Sequence, residues 1–142
     1  SKEGKSIPRD FADSYYEEIA LGIDFTARDL QSKAKEAGLP WDIAKGFDGS
    51  APISEFIPKN ALGNIKDLAF RLDIDGEMKQ GARTGLMIFD IEYLIAYLSK
   101  FFTLKKGDLI FTGTPKGVGP VKVGNRLKGY IENENMLDFE IK

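Results

Sequence analysis

The chain has 142 residues, of which 42% are hydrophobic and 30% are charged, which is ordinary composition for a globular protein. Lys and Arg total 20 against 22 Asp and Glu, so the formal net charge of −2 leaves no basic excess to attract nucleic acid or an anionic membrane. The absence of Cys and His excludes disulfides, thiolate nucleophiles, Ser-His-Asp triads and imidazole metal ligands. We expect one soluble domain over residues 1–142, in the cytoplasm, whose chemistry depends on Lys, Arg, carboxylates and hydroxyls.

The first part of the chain contains one predicted strand and one predicted helix. Residues Tyr15 to Phe25 are rich in aromatic and aliphatic side chains, which favours a buried strand. Thr26 and Asp29 have the spacing of a capping box. This spacing predicts a short helix near Ala27 to Ala37.

An irregular connection and a hairpin follow. The Gly, Pro and Ser residues between Trp41 and Pro58 indicate a segment without regular structure. Three aromatic residues are expected to pack it: Trp41, Phe47 and Phe56. From Leu68 to Ile74 apolar residues occupy alternate positions, and Asp75-Gly76 then supplies a two-residue turn. This pattern predicts a half-buried strand and its return.

The last part of the chain combines the strongest predicted helix with further strands. Asp90 is placed to cap a helix whose apolar face repeats every three or four residues. That face consists of Tyr93, Leu94, Tyr97, Leu98, Phe101 and Phe102. The remaining predicted elements are a strand over Leu109 to Thr112, a glycine-rich loop from Gly113 to Gly124, and strands near Leu127 to Ile131 and Leu137 to Ile141. The predicted fold class is therefore α+β, mainly β with two or three helices.

The junction between the first strand and the first helix carries three candidate functional groups. They are the carboxylate of Asp24, the guanidinium of Arg28 and the amide of Gln31. A helix N-terminus favours anions, and Arg28 could hold a substrate carboxylate through two parallel hydrogen bonds. Gln31 lies one helical turn further on the same side. A helix cap with a surface ion pair explains the same residues, and spacing alone favours that plainer interpretation.

Lys45 and the glycine-rich loop are further candidates. Lys45 lies between Trp41 and Phe47, where a partly desolvated lysine could transfer a proton or stabilise an oxyanion. Most lysines in such surroundings only bury their aliphatic stem, so local sequence favours a structural role. The loop from Thr112 to Gly119 could hold an anion with backbone N–H groups. It lacks the spacing of a Walker motif and is followed by strand-like sequence, which disfavours nucleotide binding.

Two pairs of carboxylates lie close together in the sequence and could in principle bind a metal ion. Asp73 and Asp75 would point to the same face of a strand and could share a divalent ion. A hairpin turn at Asp75-Gly76 is the better explanation. Glu17 and Glu18 are adjacent and would face opposite sides of a strand. Neither pair is interpreted as a site.

Five segments, taken together in order and spacing, resemble one family. They are GIDFTARDLQ (Gly22 to Gln31), GLPWDIAKGFD (Gly38 to Asp48), DGEMKQG (Asp75 to Gly81), MIFDI (Met87 to Ile91) and GDLIFTGTPKGVGPV (Gly107 to Val121). The chain resembles the C-terminal catalytic domain of the fumarylacetoacetate hydrolase family. Within that family it is most similar to the branch of acylpyruvases, oxaloacetate decarboxylases and 2-hydroxyhepta-2,4-diene-1,7-dioate isomerases. The resemblance covers nearly the whole chain, so it raises the functional interpretations above the structural ones.

The resemblance implies a mixed β-roll that forms a homodimer and binds Mg²⁺ or Mn²⁺ through carboxylates. Asp24 is implied as a metal ligand, and Lys45 as the active-site lysine. The residues implied to bind substrate are Arg28, Gln31, Gly113 and Thr114. The implied substrate is a 2-oxo acid or a 1,3-dicarbonyl dicarboxylate, from which the enzyme forms an enolate stabilised by the metal. C–C hydrolysis, decarboxylation and enol–keto isomerisation are all compatible with the resemblance.

The sequence departs from the family at the metal site. The family has two further acidic ligands in an upstream Glu-x-Glu pair, and a His-Glu pair on a lid that prepares the water. The chain has no His and no matching Glu-x-Glu, and it starts with Ser1, so we expect a fragment or a processed chain that lacks the N-terminal part of the domain. Such a chain would expose a strand edge and should dimerise tightly or aggregate. A monodisperse monomer by light scattering would contradict this expectation.

Two functions other than an enzyme are also compatible with the sequence. The chain could be a catalytically inactive fragment that serves as a dimerisation module. It could also be a binder of small dicarboxylates that uses Arg28 and the turn at Thr114, in which case binding would be indifferent to EDTA.

Overall fold

The computed structural model describes residues 2–142, which divide into two compact units. The larger unit comprises residues 2–21 and 55–142, and the smaller unit comprises residues 22–54. The helices are α1 (Arg9–Ala12), α2 (Arg28–Glu36), α3 (Asp42–Lys45) and α4 (Ile91–Leu98). The strands are β1 (Glu18–Ile19), β2 (Ile57–Pro58), β3 (Ala69–Ile74), β4 (Glu77–Arg83), β5 (Arg126–Ile131) and β6 (Glu134–Glu140). None of the helices within residues 2–142 is long and apolar enough to cross a membrane.

The larger unit is built on a four-stranded antiparallel sheet in the order β4-β3-β5-β6. Alternate residues of β3 face alternate residues of β5, so that Leu72 lies opposite Gly129 and Ile74 opposite Leu127. This apolar face is the buried one, because Leu127 is fully buried. A Cβ on Gly129 would lie 2.5 Å from Leu21 Cδ2, so the packing requires glycine there. The two shorter strands, β1 and β2, pair separately in an antiparallel sheet.

The predicted hairpin at Asp75-Gly76 is confirmed. Both residues have positive φ, 51° and 84°, as a tight turn between right-twisted strands requires. The carboxylate of Asp75 accepts hydrogen bonds from the Arg126 backbone N–H at 2.8 Å and from Asn125 Nδ2 at 2.7 Å. Asp73 instead pairs with Arg71. The turn interpretation of this carboxylate pair therefore holds.

Helix α4 begins at Ile91, directly after Asp90, the cap that the sequence predicted. The Asp90 carboxylate accepts the Tyr93 backbone N–H at 2.7 Å, which is the expected cap. The buried position of the helix is Ile95, which packs with Ile7 and Ala12. Part of the predicted apolar face is exposed, at Tyr97, Phe101 and Phe102. An apolar repeat shows which side chains share a face, and their burial depends on whether another element covers that face.

We predict that Asp90→Ala lowers the free energy of unfolding by about 1 kcal/mol at neutral pH. The Tyr93 N–H, and after it Arg9, lower the pKa of Asp90 below its ordinary value of 3.8. Because the pKa of Asp90 is lowered in the folded state, its stabilisation is fully present above the ordinary pKa of 3.8. The stabilisation is lost as the pH falls from 3.8 through the folded-state pKa. Urea unfolding at pH 7 and pH 3 should show a smaller loss at pH 3. Asp90→Asn keeps the acceptor and should remove most of the pH dependence; an equal loss at both pH values in Asp90→Ala would contradict the assignment.

The smaller unit contains α2, α3 and an extended segment. This segment is joined to residues 50–53 by hydrogen bonds from Ile23 N to Pro52 O and from Phe25 N to Ser50 O, and by an isolated bridge between Gly22 and Ile53. The buried residues here are Ala44, Ser50 and Ser54. Helix α2 confirms the helix predicted near Ala27 to Ala37.

Several local predictions were wrong. The expected strand from Tyr15 to Phe25 is regular only at Glu18–Ile19, and Leu109 to Thr112 forms no strand. Regular pairing requires a partner along the whole segment, and the sequence alone does not show whether one exists. The three aromatic residues expected to pack the irregular connection are exposed: Trp41, Phe47 and Phe56. The same connection contains α3.

Candidate active site

The central feature of the smaller unit is a hydrogen-bonded group formed by Lys45, Asp24 and Thr26. Lys45 Nζ donates to Asp24 Oδ2 at 2.7 Å and to Thr26 Oγ1 at 2.8 Å. The side chain of Lys45 is 33% exposed and that of Asp24 is 48% exposed. An ion pair this accessible adds little to the stability of the fold. Its exposure leaves both side chains accessible to a ligand.

Local structure explains how these residues meet. Lys45 is the last residue of α3, and Asp24 lies in the extended segment before α2. The Ala27 backbone N–H donates to the Ala44 carbonyl at 3.0 Å, which holds the two segments together one residue from Lys45. The predicted metal ligand and the predicted catalytic lysine are therefore direct neighbours, although 21 positions separate them in sequence.

Thr26 has a different role from the predicted one. The capping box was wrong, because the N-cap of α2 is Ala27 and no side chain caps it. The hydroxyl of Thr26 instead accepts from Lys45 Nζ. Trp41 and Phe47, which flank Lys45 in sequence, are both exposed. Two hydrogen bonds to oxygen atoms hold the ammonium in place.

Arg28 and Gln31 form a second polar pair at the start of α2. Arg28 Nη1 donates to Gln31 Oε1 at 2.5 Å across one helical turn. This contact orients the guanidinium and leaves its Nε and Nη2, and the amide nitrogen of Gln31, without a partner among the described contacts. Both side chains can therefore still donate to a ligand that carries oxygen atoms.

The smaller unit contains Asp24, the carboxylate that was predicted as a metal ligand. Within residues 2–142 there is no group of three or more His, Cys, Asp or Glu residues placed to hold a metal ion. The Asp24 carboxylate has the hard oxygen atoms that Mg²⁺ and Mn²⁺ prefer, and one of them is bound to Lys45. The chemistry of the Asp24 carboxylate is therefore compatible with one protein ligand to such an ion.

Thr114 and Gly113 lie in the larger unit, in the loop before β5. Gly113 has φ of 115°, a conformation that glycine adopts readily. Gln80, in β4, donates from Nε2 to Thr114 Oγ1 at 2.8 Å and to the Pro115 carbonyl at 2.9 Å. The loop is thus fixed to the sheet at the position where substrate binding was predicted.

Sequence reasoning missed two residues, Thr26 and Gln80. Each is joined to a predicted site residue by a hydrogen bond between side chains, Thr26 to Lys45 and Gln80 to Thr114. Both residues lie inside the sequence motifs on which the family resemblance rests. That location was the only feature of the sequence that could have pointed to them. Their partners are 19 and 34 positions away, beyond the reach of local patterns.

The chain belongs to the fumarylacetoacetate hydrolase family, since the family described as fumarylacetoacetate (FAA) hydrolase C-terminal matches residues 1–141. It is 44% identical over 141 residues to the mitochondrial oxaloacetate tautomerase FAHD1 of Mus musculus, covering 99% of this chain and 64% of that protein. It is 46% identical over 141 residues to the mitochondrial oxaloacetate decarboxylase of Dictyostelium discoideum, covering 99% and 65%. The crystal structure of fumarylpyruvate hydrolase from Pseudomonas aeruginosa in complex with Mn²⁺ and pyruvate matches with a TM-score of 0.94 and 40% identity, covering 99% of this chain and 60% of that one.

These comparisons confirm the predicted family and the mixed helix and strand fold. They correct the predicted location, because the similar proteins of mouse and Dictyostelium are named as mitochondrial, and this contradicts the cytoplasmic expectation. The chain spans less than two thirds of the length of these relatives. The roles assigned to individual residues, and the single-domain organisation, stay predictions.

Proposed function

We propose that these residues form part of the active site of a divalent-metal-dependent enzyme that acts on a 2-oxo acid or 1,3-dicarbonyl dicarboxylate through an enolate. The observation that carries this proposal is the contact between Lys45 and Asp24, which combines a proton donor and a hard metal ligand at one accessible place. Names of the relatives support the substrate class. The mouse relative is named an oxaloacetate tautomerase, and the structure of the Pseudomonas relative contains pyruvate, a 2-oxo acid.

Lys45 holds and moves the proton in this proposal. An ammonium has three N–H donors, and Asp24 and Thr26 receive two of them. The third can donate to a substrate oxygen, where a charge-assisted hydrogen bond stabilises the negative charge of an enolate. From the same position, the ammonium can give a proton to the enolate, and the neutral amine that this leaves can take a proton from the keto form in the reverse direction.

Arg28 and Gln31 of the smaller unit bind and orient the substrate in this proposal. The guanidinium of Arg28 presents paired N–H groups that match a carboxylate, and Gln31 limits its rotation. Thr114 supplies a hydroxyl from the glycine-rich loop. Asp24 would be one ligand of Mg²⁺ or Mn²⁺, which polarises the carbonyl oxygen of a 2-oxo acid when it is bound. We propose that the remaining carboxylate ligands come from outside the residues that the structure describes.

The proposal predicts a metal-dependent activity of the full-length gene product. Enol–keto conversion of oxaloacetate, its decarboxylation, and hydrolysis of an acylpyruvate should be followed by ultraviolet absorbance with Mg²⁺, with Mn²⁺ and with excess EDTA. At least one reaction should proceed with metal and stop with EDTA, because enolate formation needs the Lewis acid. Activity that survives EDTA would contradict metal dependence. Oxalate binding that survives EDTA without any activity would favour the alternative of a dicarboxylate-binding module.

We also propose that the protein forms a homodimer. The larger unit exposes a group of large apolar side chains in the segments that flank α4 in sequence, and exposed apolar side chains of this kind are common at protein interfaces. The group consists of Leu86, Ile88, Phe89, Phe101 and Phe102. Light scattering on the purified protein tests this proposal, and a monomer at all concentrations would contradict it.

A further inference from the structure

The side-chain amide of Gln80 makes both of its donor contacts to the glycine-rich loop. Nε2 lies 2.8 Å from Thr114 Oγ1 and 2.9 Å from the Pro115 carbonyl oxygen. An amide nitrogen has two hydrogens, so these contacts use its full donor capacity. The half-buried Gln80 therefore holds two successive residues of the loop from a position inside β4.

This arrangement fixes the direction of the hydrogen bond to Thr114. The Pro115 carbonyl can only accept, so the nitrogen of the amide, and not its oxygen, must face the loop. An amide nitrogen does not accept hydrogen bonds, so Thr114 Oγ1 must be the acceptor in its contact with Gln80. The single hydroxyl proton of Thr114 is left to donate elsewhere, and the described contacts provide no acceptor for it.

The loop is also anchored beside Gln80. A Cβ on Gly117 would lie 2.1 Å from the carbonyl oxygen of Lys79, so the loop backbone lies directly against β4 there. Gln80 itself is paired with Leu72 in β3. The donor that sets the direction of the Thr114 hydroxyl is thus carried by a paired strand, and the loop has little freedom to move away from it.

We propose that Gln80 is a positioning residue that directs the hydroxyl proton of Thr114 toward the ligand. A hydroxyl normally adapts by donating or accepting. Because Thr114 Oγ1 already accepts from Gln80 and its proton has no acceptor among the described contacts, the hydroxyl favours a ligand atom that accepts, such as a carboxylate or enolate oxygen. This inference rests on the proposed function, since it assumes that Thr114 contacts the substrate, and it adds the chemical property that this contact selects.

Gln80→Glu tests the inference because a carboxylate reverses the contact. An ionised carboxylate only accepts, so the Thr114 proton would turn toward it and away from the ligand. We expect oxalate affinity, measured by calorimetry on the full-length gene product with Mn²⁺, to fall roughly tenfold or more at pH 7.5. As the pH approaches 4.5 the introduced carboxyl gains a proton and can donate again, so affinity relative to wild type should recover.

A double-mutant cycle separates positioning from a general structural effect. In a Thr114→Val background the hydroxyl is gone, so Gln80→Glu should cost less affinity than it does in wild type, and only the repulsion between its charge and oxalate should remain. Gln80→Leu, which brings no charge, should show the same coupling to Thr114→Val without the recovery at low pH. This second variant keeps the test valid if Gln80→Glu does not fold.

The outcomes distinguish the two levels of the proposal. If Thr114→Val weakens oxalate binding but its effect simply adds to those of Gln80→Glu and Gln80→Leu, positioning by Gln80 is overturned and substrate binding by Thr114 stands. If wild type does not bind oxalate, or Thr114→Val binds it unchanged, the proposed role of Thr114 fails and the inference fails with it. Strong coupling with recovery at low pH supports both.

Discussion

Lys45→Met is expected to lower kcat of the full-length gene product by about 10²- to 10⁴-fold, the range typical of a lost general acid or base. Methionine keeps the length and apolar stem of the side chain and removes the ammonium. The same substitution frees Asp24 Oδ2 from its ion pair. Affinity for Mn²⁺ should therefore stay the same or increase while kcat falls. Steady-state kinetics and calorimetric titration of Mn²⁺ measure the two effects separately.

The control for this substitution is Lys35→Met, on the exposed side of α2 in the same unit. It removes the same charge at a place without a proposed role and should leave kcat unchanged. A kcat for Lys45→Met equal to that of the control would exclude the lysine from the chemistry. Loss of both kcat and Mn²⁺ binding would instead indicate that Lys45 supports the structure around Asp24.

Gly117→Ala is expected to give the largest loss of stability among simple substitutions in the glycine-rich loop. Gly117 has φ of 104°, and its Cβ would lie 2.1 Å from the Lys79 carbonyl oxygen. The strained backbone alone costs on the order of 1–3 kcal/mol, and the clash with backbone forces the loop away from β4. Because Thr114 lies in this loop, oxalate affinity should fall together with the melting temperature.

Gly119→Ala is the matched control in the same loop. No atom lies within 4 Å of its added Cβ, and its φ is not in the positive range. We expect a change within about 0.5 kcal/mol in unfolding free energy and unchanged oxalate affinity. Equal melting temperatures for the two alanine variants would contradict the close approach at Gly117.

The elements that the sequence predicted correctly carry strong local signals. Asp75-Gly76 needs only two residues to specify a tight turn, and the cap at Asp90 lies within its own helix. The errors concern properties that depend on distant partners. The segment from Tyr15 to Phe25 has strand-forming residues, but it finds a regular partner only at Glu18–Ile19.

The candidate site shows the same division between local and distant information. The family resemblance identified Asp24 and Lys45 as site residues from their positions in the motifs. The structure shows that their side chains are hydrogen-bonded to each other. The local sequence could not show that the Thr26 hydroxyl bonds to Lys45 and does not cap α2. A threonine three positions before an aspartate is also the pattern of a helix cap. The direction of the contact between Gln80 and Thr114 depends on a third group, the Pro115 carbonyl, and needed three-dimensional geometry.

The most direct test of the proposed active site is a calorimetric titration of Mn²⁺ into the full-length gene product in the presence of oxalate, an enolate mimic. We predict saturable Mn²⁺ binding in wild type and loss of this binding in Asp24→Ala. Asp29→Ala, which removes another exposed carboxylate in the first turn of α2, should bind as wild type does. Undiminished binding in Asp24→Ala would show that the carboxylate next to Lys45 does not hold the metal and would contradict the proposed site.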